Sequence, residues 1–505
     1  MSVSVPRMLV VLALGGISCG SSNNHPAAAD ASSDGSSEAS TGNGDSGPSA
    51  EGAAATDASI DTTTGAPVDA ATDAAVDTAA GDDAAADSIA GGSSDSSDDP
   101  AADVDNGAPS TTYPAPHPAL PSLINQAGGP VLTAPHVYLV FYPGYPFEAD
   151  LQSFAQKMVA SAYWAAATGE YGVGPFAYAS TIELTEQTAP NTITNTDLRT
   201  WMGQQIASGA LGTPDPQGIY TLVAPQGMTV TEPNPVSPLL PNVQSCVAYT
   251  GYHDSVAVAV GDAGSLSNFA YAVIPTCTAS VASLTGVISH EWIEASTDPF
   301  VTTNGGLQLT GGPQSAYFSV DADHTIWALL LGGEAGDLCE PEGADVYTVP
   351  ADLGYTVQRT WSNVASTASH DPCIPNLSGA FFDSAPVLPD SVTVTSPLIT
   401  GTVITKGITI PVGQSKTIEV DLFSDGDTNG PWTVAATDAL YARFGGYGIP
   451  NTLSFQWDRM QGVNGEKLHL TITVTQTSIV GNGHEFVITS TQGSRTASWP
   501  GLVVE

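Results

Sequence analysis

Apolar residues fall in four unbroken runs across the middle of the chain: His136 to Tyr142 (HVYLVFY), Gly218 to Val223 (GIYTLV), Ser255 to Val260 (SVAVAV) and Phe269 to Ile274 (FAYAVI). Short β-rich runs bounded by turn residues read as buried strands. Other segments repeat at the helical period. Asp150 to Ala167 sets Leu151, Phe154, Met158 and Tyr163 on one face, and Asn195 to Ser208 predicts a second helix with Thr196 or Asp197 near its N-cap. A third helix carries Leu284, Val287, Ile288 and Ile293 and stops at Pro299. Mixed strands and helices to about Pro375 predict one α+β (or α/β) domain over 113–380. From about Ala385 the helical period disappears. Alternating runs such as Ser391 to Ser396, Lys416 to Leu422, Thr452 to Trp457, Lys467 to Val474 and Glu485 to Thr491 recur between Gly, Asn, Asp and Pro turns. They predict an immunoglobulin-like antiparallel sandwich over 385–505. The default role of such a module is spacing or adhesion. His469 and His484 read there as ordinary surface residues.

The first hundred residues carry neither period. Arg7 precedes the short apolar run Met8 to Leu14, and Gly15, Gly16 and Ser18 lead to Cys19. The run is too short to span a bilayer and ends in small residues, as a cleaved signal peptide does (1–19). It resembles the lipobox of bacterial lipoproteins, with Cys19 as the lipidated residue, although Gly16 stands where that motif usually has Leu or Val. Residues 20–112 read as a tether: Ser21 to Ser110 is mostly Ala, Asp, Ser, Gly and Thr, with no Lys, Arg, Phe, Trp or Tyr. Such a segment cannot bury enough apolar surface to order itself.

Charge then narrows the partners. The 505-residue chain has 10 Lys+Arg against 51 Asp+Glu, a formal net charge of -41. That surface repels nucleic acid and anionic headgroups, and suits a divalent cation or a neutral or basic substrate. No internal stretch approaches ~20 continuous apolar residues. With Cys19 set aside, Cys246, Cys277, Cys339 and Cys373 remain. Four cysteines in an exported chain suggest two disulfides, and of three connectivities sequence proximity favours Cys246–Cys277 and Cys339–Cys373.

The chemistry concentrates in Ser289-His290-Glu291-Trp292-Ile293-Glu294-Ala295-Ser296-Thr297-Asp298-Pro299. His290 and Glu294 project from one helix face a turn apart, and Asp298 falls near the same stripe. The HExxE spacing resembles the HExxH of zinc peptidases, in which two ligands sit at i and i+4 and the intervening Glu is the general base. Carboxylate in place of the second imidazole also admits harder cations. Two further clusters stand beside cysteines: Glu334-Ala335-Gly336-Asp337-Leu338-Cys339-Glu340, and Gly251-Tyr252-His253-Asp254 after Cys246. Alone, each reads equally as a solvated loop or a turn.

The pattern His-Glu-x-x-Glu-x-x-Thr-x-Pro followed by Glu334-x-x-Asp337-Leu338-Cys339-Glu340 resembles the Exordium (phosphate-induced protein 1) family of extracellular plant proteins, and more closely its secreted bacterial relatives. Tyr163-Trp164, Glu170 to Gly174, Cys246 with Gly251 to His253, Tyr271 to Pro275 and Arg359 to Asn363 also match. The resemblance covers Gly128 to Pro375. It implies that His253, His290, Glu291, Glu294, Glu334 and Asp337 belong to one site. The chain departs from those relatives at Phe300-Val301-Thr302-Thr303, on the expected substrate rim.

The expectation is therefore an exported, surface-anchored hydrolase with a metallopeptidase-like domain that uses a divalent metal, zinc first. His290 and Glu294 are its helix ligands, His253 with Asp337 or Glu334 completes the shell, and Glu291 is the general base. Its substrate would be an extracellular peptide or polysaccharide, and it would sit at the cell surface as an outer-membrane lipoprotein or outside the cell. The rival is a non-catalytic extracellular adhesive or polysaccharide-binding protein with a structural metal. The sequence is silent on oligomeric state.

Overall fold

The computed structural model describes residues 105–125, 128–233, 242–260, 265–301, 315–395, 402–479 and 481–505. The signal segment, Cys19 and the tether up to residue 104 lie outside them, as do Thr302 and Thr303. Seven α-helices occur among the described residues: α1 (Glu148–Met158), α2 (Ala162–Thr168), α3 (Asn195–Ser208), α4 (Val281–Thr297), α5 (Thr325–Leu331), α6 (Asn363–Thr367) and α7 (Ala439–Phe444). The molecule is otherwise mostly β. None of the helices is long and apolar enough to cross a membrane.

The four apolar runs become strands of one five-stranded sheet, ordered Ala177–Glu183, His136–Phe141, Gly218–Ala224, Ser265–Pro275 and Tyr252–Val260. The first four are parallel and Tyr252–Val260 closes the sheet antiparallel to Ser265–Pro275. Helices cover both faces, which is why these strands are apolar without alternation. On one face Leu139, Phe141, Ile219, Val223 and Ile274 pack with Leu151 and Phe154 of α1 and Ile288 and Trp292 of α4. On the other, Val140, Tyr220, Leu222, Tyr271 and Val273 pack with Leu198, Met202 and Ile206 of α3.

Two helices begin elsewhere than the sequence predicts. The helix expected over 150–167 is two helices, because Ser161 adopts an extended conformation and its hydroxyl caps α2 by accepting from the Tyr163 N–H. The α3 cap is Thr194, whose side chain accepts from the Asp197 N–H, rather than Thr196 or Asp197.

A sandwich follows from Phe382. Its four-stranded sheet runs Phe382–Pro386, Ser415–Ser424, Lys467–Val474 and Leu453–Trp457. The six-stranded sheet runs Asp390–Val394, Val403–Thr409, Arg495–Val504, Gly483–Gln492, Trp432–Asp438 and Gln461–Gly462. Between them lie Ile408, Val420, Leu422, Trp432, Leu470, Phe486 and Ile488. It is not wholly antiparallel, because Val403–Thr409 pairs parallel to Arg495–Val504. His484 is buried, bonded to Thr452 and Glu505, where a surface residue was expected.

The sandwich and the helix-covered sheet belong to one compact unit. Trp327 of α5 meets Trp499 edge-on at 5.5 Å and Trp361 at 5.7 Å, while the Thr405 hydroxyl donates to the Asp323 carbonyl. The last residues assigned to the tether are also held. Asn464 donates to the carbonyls of Ser110 and Thr112, and Gly107 bridges Glu466. The expected disulfides, Cys246–Cys277 and Cys339–Cys373, are both present.

Candidate metal centre

The site is built on α4. Ser280 caps its N-terminus by accepting from the Ser283 N–H, and Pro299 follows its end. From Ile288 to Thr297 every residue is buried, so this is a core helix whose polar groups must find partners inside the protein. Several do so locally. The hydroxyls of Ser289, Ser296 and Thr297 donate to the carbonyls of Gly286, Trp292 and Ile293. Trp292 donates to Thr221 in the sheet, which fixes the rotation of the helix and turns His290, Glu291 and Glu294 away from that contact.

Three other segments converge on them. His253 is the second residue of the edge strand Tyr252–Val260, paired with Ala272, and not a turn residue. Gly251 lets that strand approach α4: a Cβ there would stand 2.5 Å from Val287 Cγ1 and 2.6 Å from Glu291 Oε1. Glu334 and Asp337 enter from the segment after α5, which the Cys339–Cys373 disulfide ties down. Tyr252 and Asp254, flanking His253, face the opposite way toward α3, where Asp254 accepts from Tyr271.

All six residues that the sequence pointed to come together. His290 Nε2 lies 3.0 Å from Glu294 Oε2 and 3.7 Å from Asp337 Oδ1. His253 Nδ1 lies 3.5 Å from Glu291 Oε2 and 3.7 Å from Glu294 Oε2, and its Nε2 lies 3.2 Å from Glu334 Oε1. The expected ligands sort into two triads, His290–Glu294–Asp337 and His253–Glu294–Glu334, each with donor atoms within 4.8 Å of one another. Glu294 is common to both. Its Oε1 accepts from the N–H groups of Gly336 and Asp337 at 3.0 and 3.1 Å, which aims Oε2 at the imidazoles.

The donor set fits a divalent cation. Atoms bound ~2.0–2.3 Å from such an ion stand roughly 3–4 Å from each other, as these do. His290 Nδ1, Glu334 Oε1 and Asp337 Oδ2 are buried without a hydrogen-bond partner among the described residues, and Asp298 Oδ2 is in the same condition. Asp298 is the residue that sequence reasoning left outside the site. It follows α4, is 0% exposed, and accepts from the Ala316 N–H with Oδ1 alone. Its place eight residues after His290, on the same stripe, was the available signal.

Electrostatics follow from crowding in a dry place. Burial pushes Glu334 up to about 8 against the pull of His253, and Asp298 up to about 6 against the Ala316 N–H. Asp337 rises well above the ordinary carboxylate range through burial and the nearby Glu294, and burial also raises Glu291. Burial acts upward on Glu294 too, but His290, His253 and the Asp337 N–H outweigh it and leave its carboxyl low. Burial pulls both imidazoles down, yet the carboxylates outweigh it and hold His253 and His290 well above their ordinary value. A bound cation inverts this logic by favouring the ionised carboxylates and neutral imidazoles.

A third grouping, Glu342–Asp371–Cys373, is not a metal site. The Cys373 sulfur is in a disulfide, and the buried Arg359 guanidinium bonds both carboxylates.

No family model and no curated protein matches the chain. Among solved structures it is similar to domains 4 and 5 of the S-layer protein SbsC at 16% identity, covering 32% of this chain and 66% of that one with a TM-score of 0.14. The titin M3 domain is similar at 16% identity over 19% of this chain and 85% of that one, again with a TM-score of 0.14. SbsC domains 1–6 give 15% identity over 32% and 18% at the same TM-score. Likenesses this weak carry nothing about activity.

Proposed function

We propose that the protein is an exported, surface-anchored metal-dependent hydrolase of the peptidase type, with zinc held by His290, Glu294 and Asp337 and with Glu291 as general base. One observation carries this reading. A His and a Glu one turn apart on a buried helix meet His253, Glu334 and Asp337, from segments remote in the chain, around the Glu294 carboxylate. A divalent cation bound there supplies Lewis-acid polarisation of a substrate carbonyl. The chain's own groups do the rest. The Gly336 and Asp337 N–H groups hold Glu294 in place. Glu291 Oε2, 3.5 Å from His253, takes the proton of the attacking water and passes it to the amine that leaves as the peptide C–N bond breaks. The leader ending at Cys19 and the acidic tether support export and lipid anchoring, and the disulfides accord with an oxidising compartment.

One observation favours the second reading, a structural metal in a non-catalytic adhesive or polysaccharide-binding protein. The carboxylates of Glu291, Glu294, Glu334 and Asp337 belong to residues only 2–4% exposed, as in a site closed by protein ligands. Glu291→Gln separates the two. The hydrolase reading expects cleavage of a quenched-fluorescent peptide library by the wild type, a loss of at least a hundredfold in the variant, and metal retained in both. Equal cleavage removes Glu291 from the chemistry. Metal retained with no cleavage by the wild type of either peptides or polysaccharides decides for the structural role.

A further inference from the structure

The two triads raise a question of number, because each holds a different histidine. Each histidine belongs to its own triad, and Glu294 is the one residue common to both. We infer that the centre holds two divalent cations bridged by Glu294: one at His290 and Asp337, and a second at His253, Glu334 and Asp298. This inference rests on the metal-binding reading above and extends it from one ion to two.

Unsatisfied donors lie on both sides of the bridge. Asp337 Oδ2 is without a partner on the His290 side, and Glu334 Oε1 and Asp298 Oδ2 are without one on the His253 side. Glu334 Oε1 meets His253 Nε2 at 3.2 Å as a charge contact, outside hydrogen-bond geometry. Asp298 belongs to the second group by position. Its main-chain carbonyl lies 3.2 Å from His253 Nε2, and its Oδ2 is one of the buried oxygens without a partner. A buried polar atom with no partner is costly, more so if charged, and several in one place point to a missing ligand.

Charge points the same way. Glu291, Glu294, Asp298, Glu334 and Asp337 are five buried carboxylates with no Lys or Arg among their ion pairs. With neutral imidazoles, one dication leaves a formal charge of about −3 and two leave about −1, and uncompensated buried charge is strongly disfavoured. A carboxylate bridge between two ions ~3.5–4 Å apart is the arrangement of two-metal hydrolases. Two linked triads of this size match it.

The test uses the full exported chain with its disulfides formed, stripped by a chelator and titrated with Zn2+ alone. Bound zinc is counted by elemental analysis after gel filtration. The expected result is two equivalents in the wild type and one in Glu334→Gln. One equivalent in both proteins overturns the second site and leaves the single-ion reading standing, whereas none in the wild type overturns both. Two equivalents in both proteins overturn the assignment of the second ion to these residues. A measurement on the wild type needs no variant to fold: with Mn2+, two bridged ions give an exchange-coupled paramagnetic resonance spectrum. A spectrum of isolated ions overturns the inference.

Discussion

Single atoms decide how well the site is built. Gly336 sits where a Cβ would stand 2.4 Å from His290 Nδ1 and 2.8 Å from Glu294 Oε1, both side chains being packed in place. Gly336→Ala is therefore expected to push the first triad apart, lowering zinc affinity at least tenfold and stability by ~1–3 kcal/mol. Zinc competition with a chromophoric chelator reads the first effect and urea unfolding the second; wild-type affinity would deny the close approach any role. A second residue gives a pH dependence away from the metal centre. Asp383 is buried in the sandwich, its Oδ1 accepting from the Ser384 N–H and the Ser490 hydroxyl, and burial pushes its carboxyl up to about 7. Its folded value lies above the unfolded ~3.9, so the folded state binds the proton more tightly. Stability must then fall as pH rises from about 4 to about 7, at up to ~1.4 kcal/mol per pH unit. Asp383→Asn keeps the acceptor and lacks this slope, so its melting temperature relative to wild type should be higher at pH 8 than at pH 5. An unchanged difference between those two pH values contradicts the burial argument. Neither residue was legible in the sequence, because a glycine in a turn and an aspartate in a short strand buried at every position acquire their roles only from what packs against them.

At the scale of elements, strands and helices with strong patterns were readable and their ends were not. α3 was expected over the residues it occupies from its apolar spacing, although its cap is Thr194 and not Thr196 or Asp197. The break at Ser161 was hidden because apolar spacing continues across it from Met158 to Tyr163. Ser161 both caps α2 and donates to Asp352 Oδ2, so Ser161→Ala is expected to cost ~1 kcal/mol in urea unfolding, with no cost if the apolar stripe alone sets the break. The HExxE helix was legible from spacing, and its burial on every side was not. His253 was seen as a candidate but not as part of a strand, because Gly251 and Asp254 read as turn residues while the antiparallel partner Ser265–Pro275 lies further along the chain. The disulfide Cys339–Cys373 spans a separation of 34 residues and anchors the segment that brings in Glu334 and Asp337. Replacing both cysteines by serine should lower stability by ~2–5 kcal/mol and weaken zinc binding together. A variant destabilised in melts but with unaltered zinc affinity would separate the disulfide from the site.

On the scale of the whole molecule, the sequence divides where its texture changes, near residue 385, but the packing does not. Core residues are continuous from Leu330 and Trp327 through Phe423, Trp499 and Leu502. The segment carrying Asp337 continues to Pro341, whose carbonyl accepts from the Ser498 hydroxyl of the sandwich. Contacts between residues so far apart in the chain leave no periodic trace, which is why the texture change near residue 385 gives no sign of them. The six site residues were gathered in advance by paired motifs, not by spacing, and their division into two triads became visible only in three dimensions. The central claim is that α4 carries a metal, and the most direct measurement is the metal content of the full exported chain beside a His290→Ala/Glu294→Ala variant, both with disulfides formed and supplemented with zinc. At least one equivalent of zinc in the wild type and none in the folded variant is the result predicted here. No zinc in either, with both folded, would contradict the account and leave a buried carboxylate–histidine network in its place.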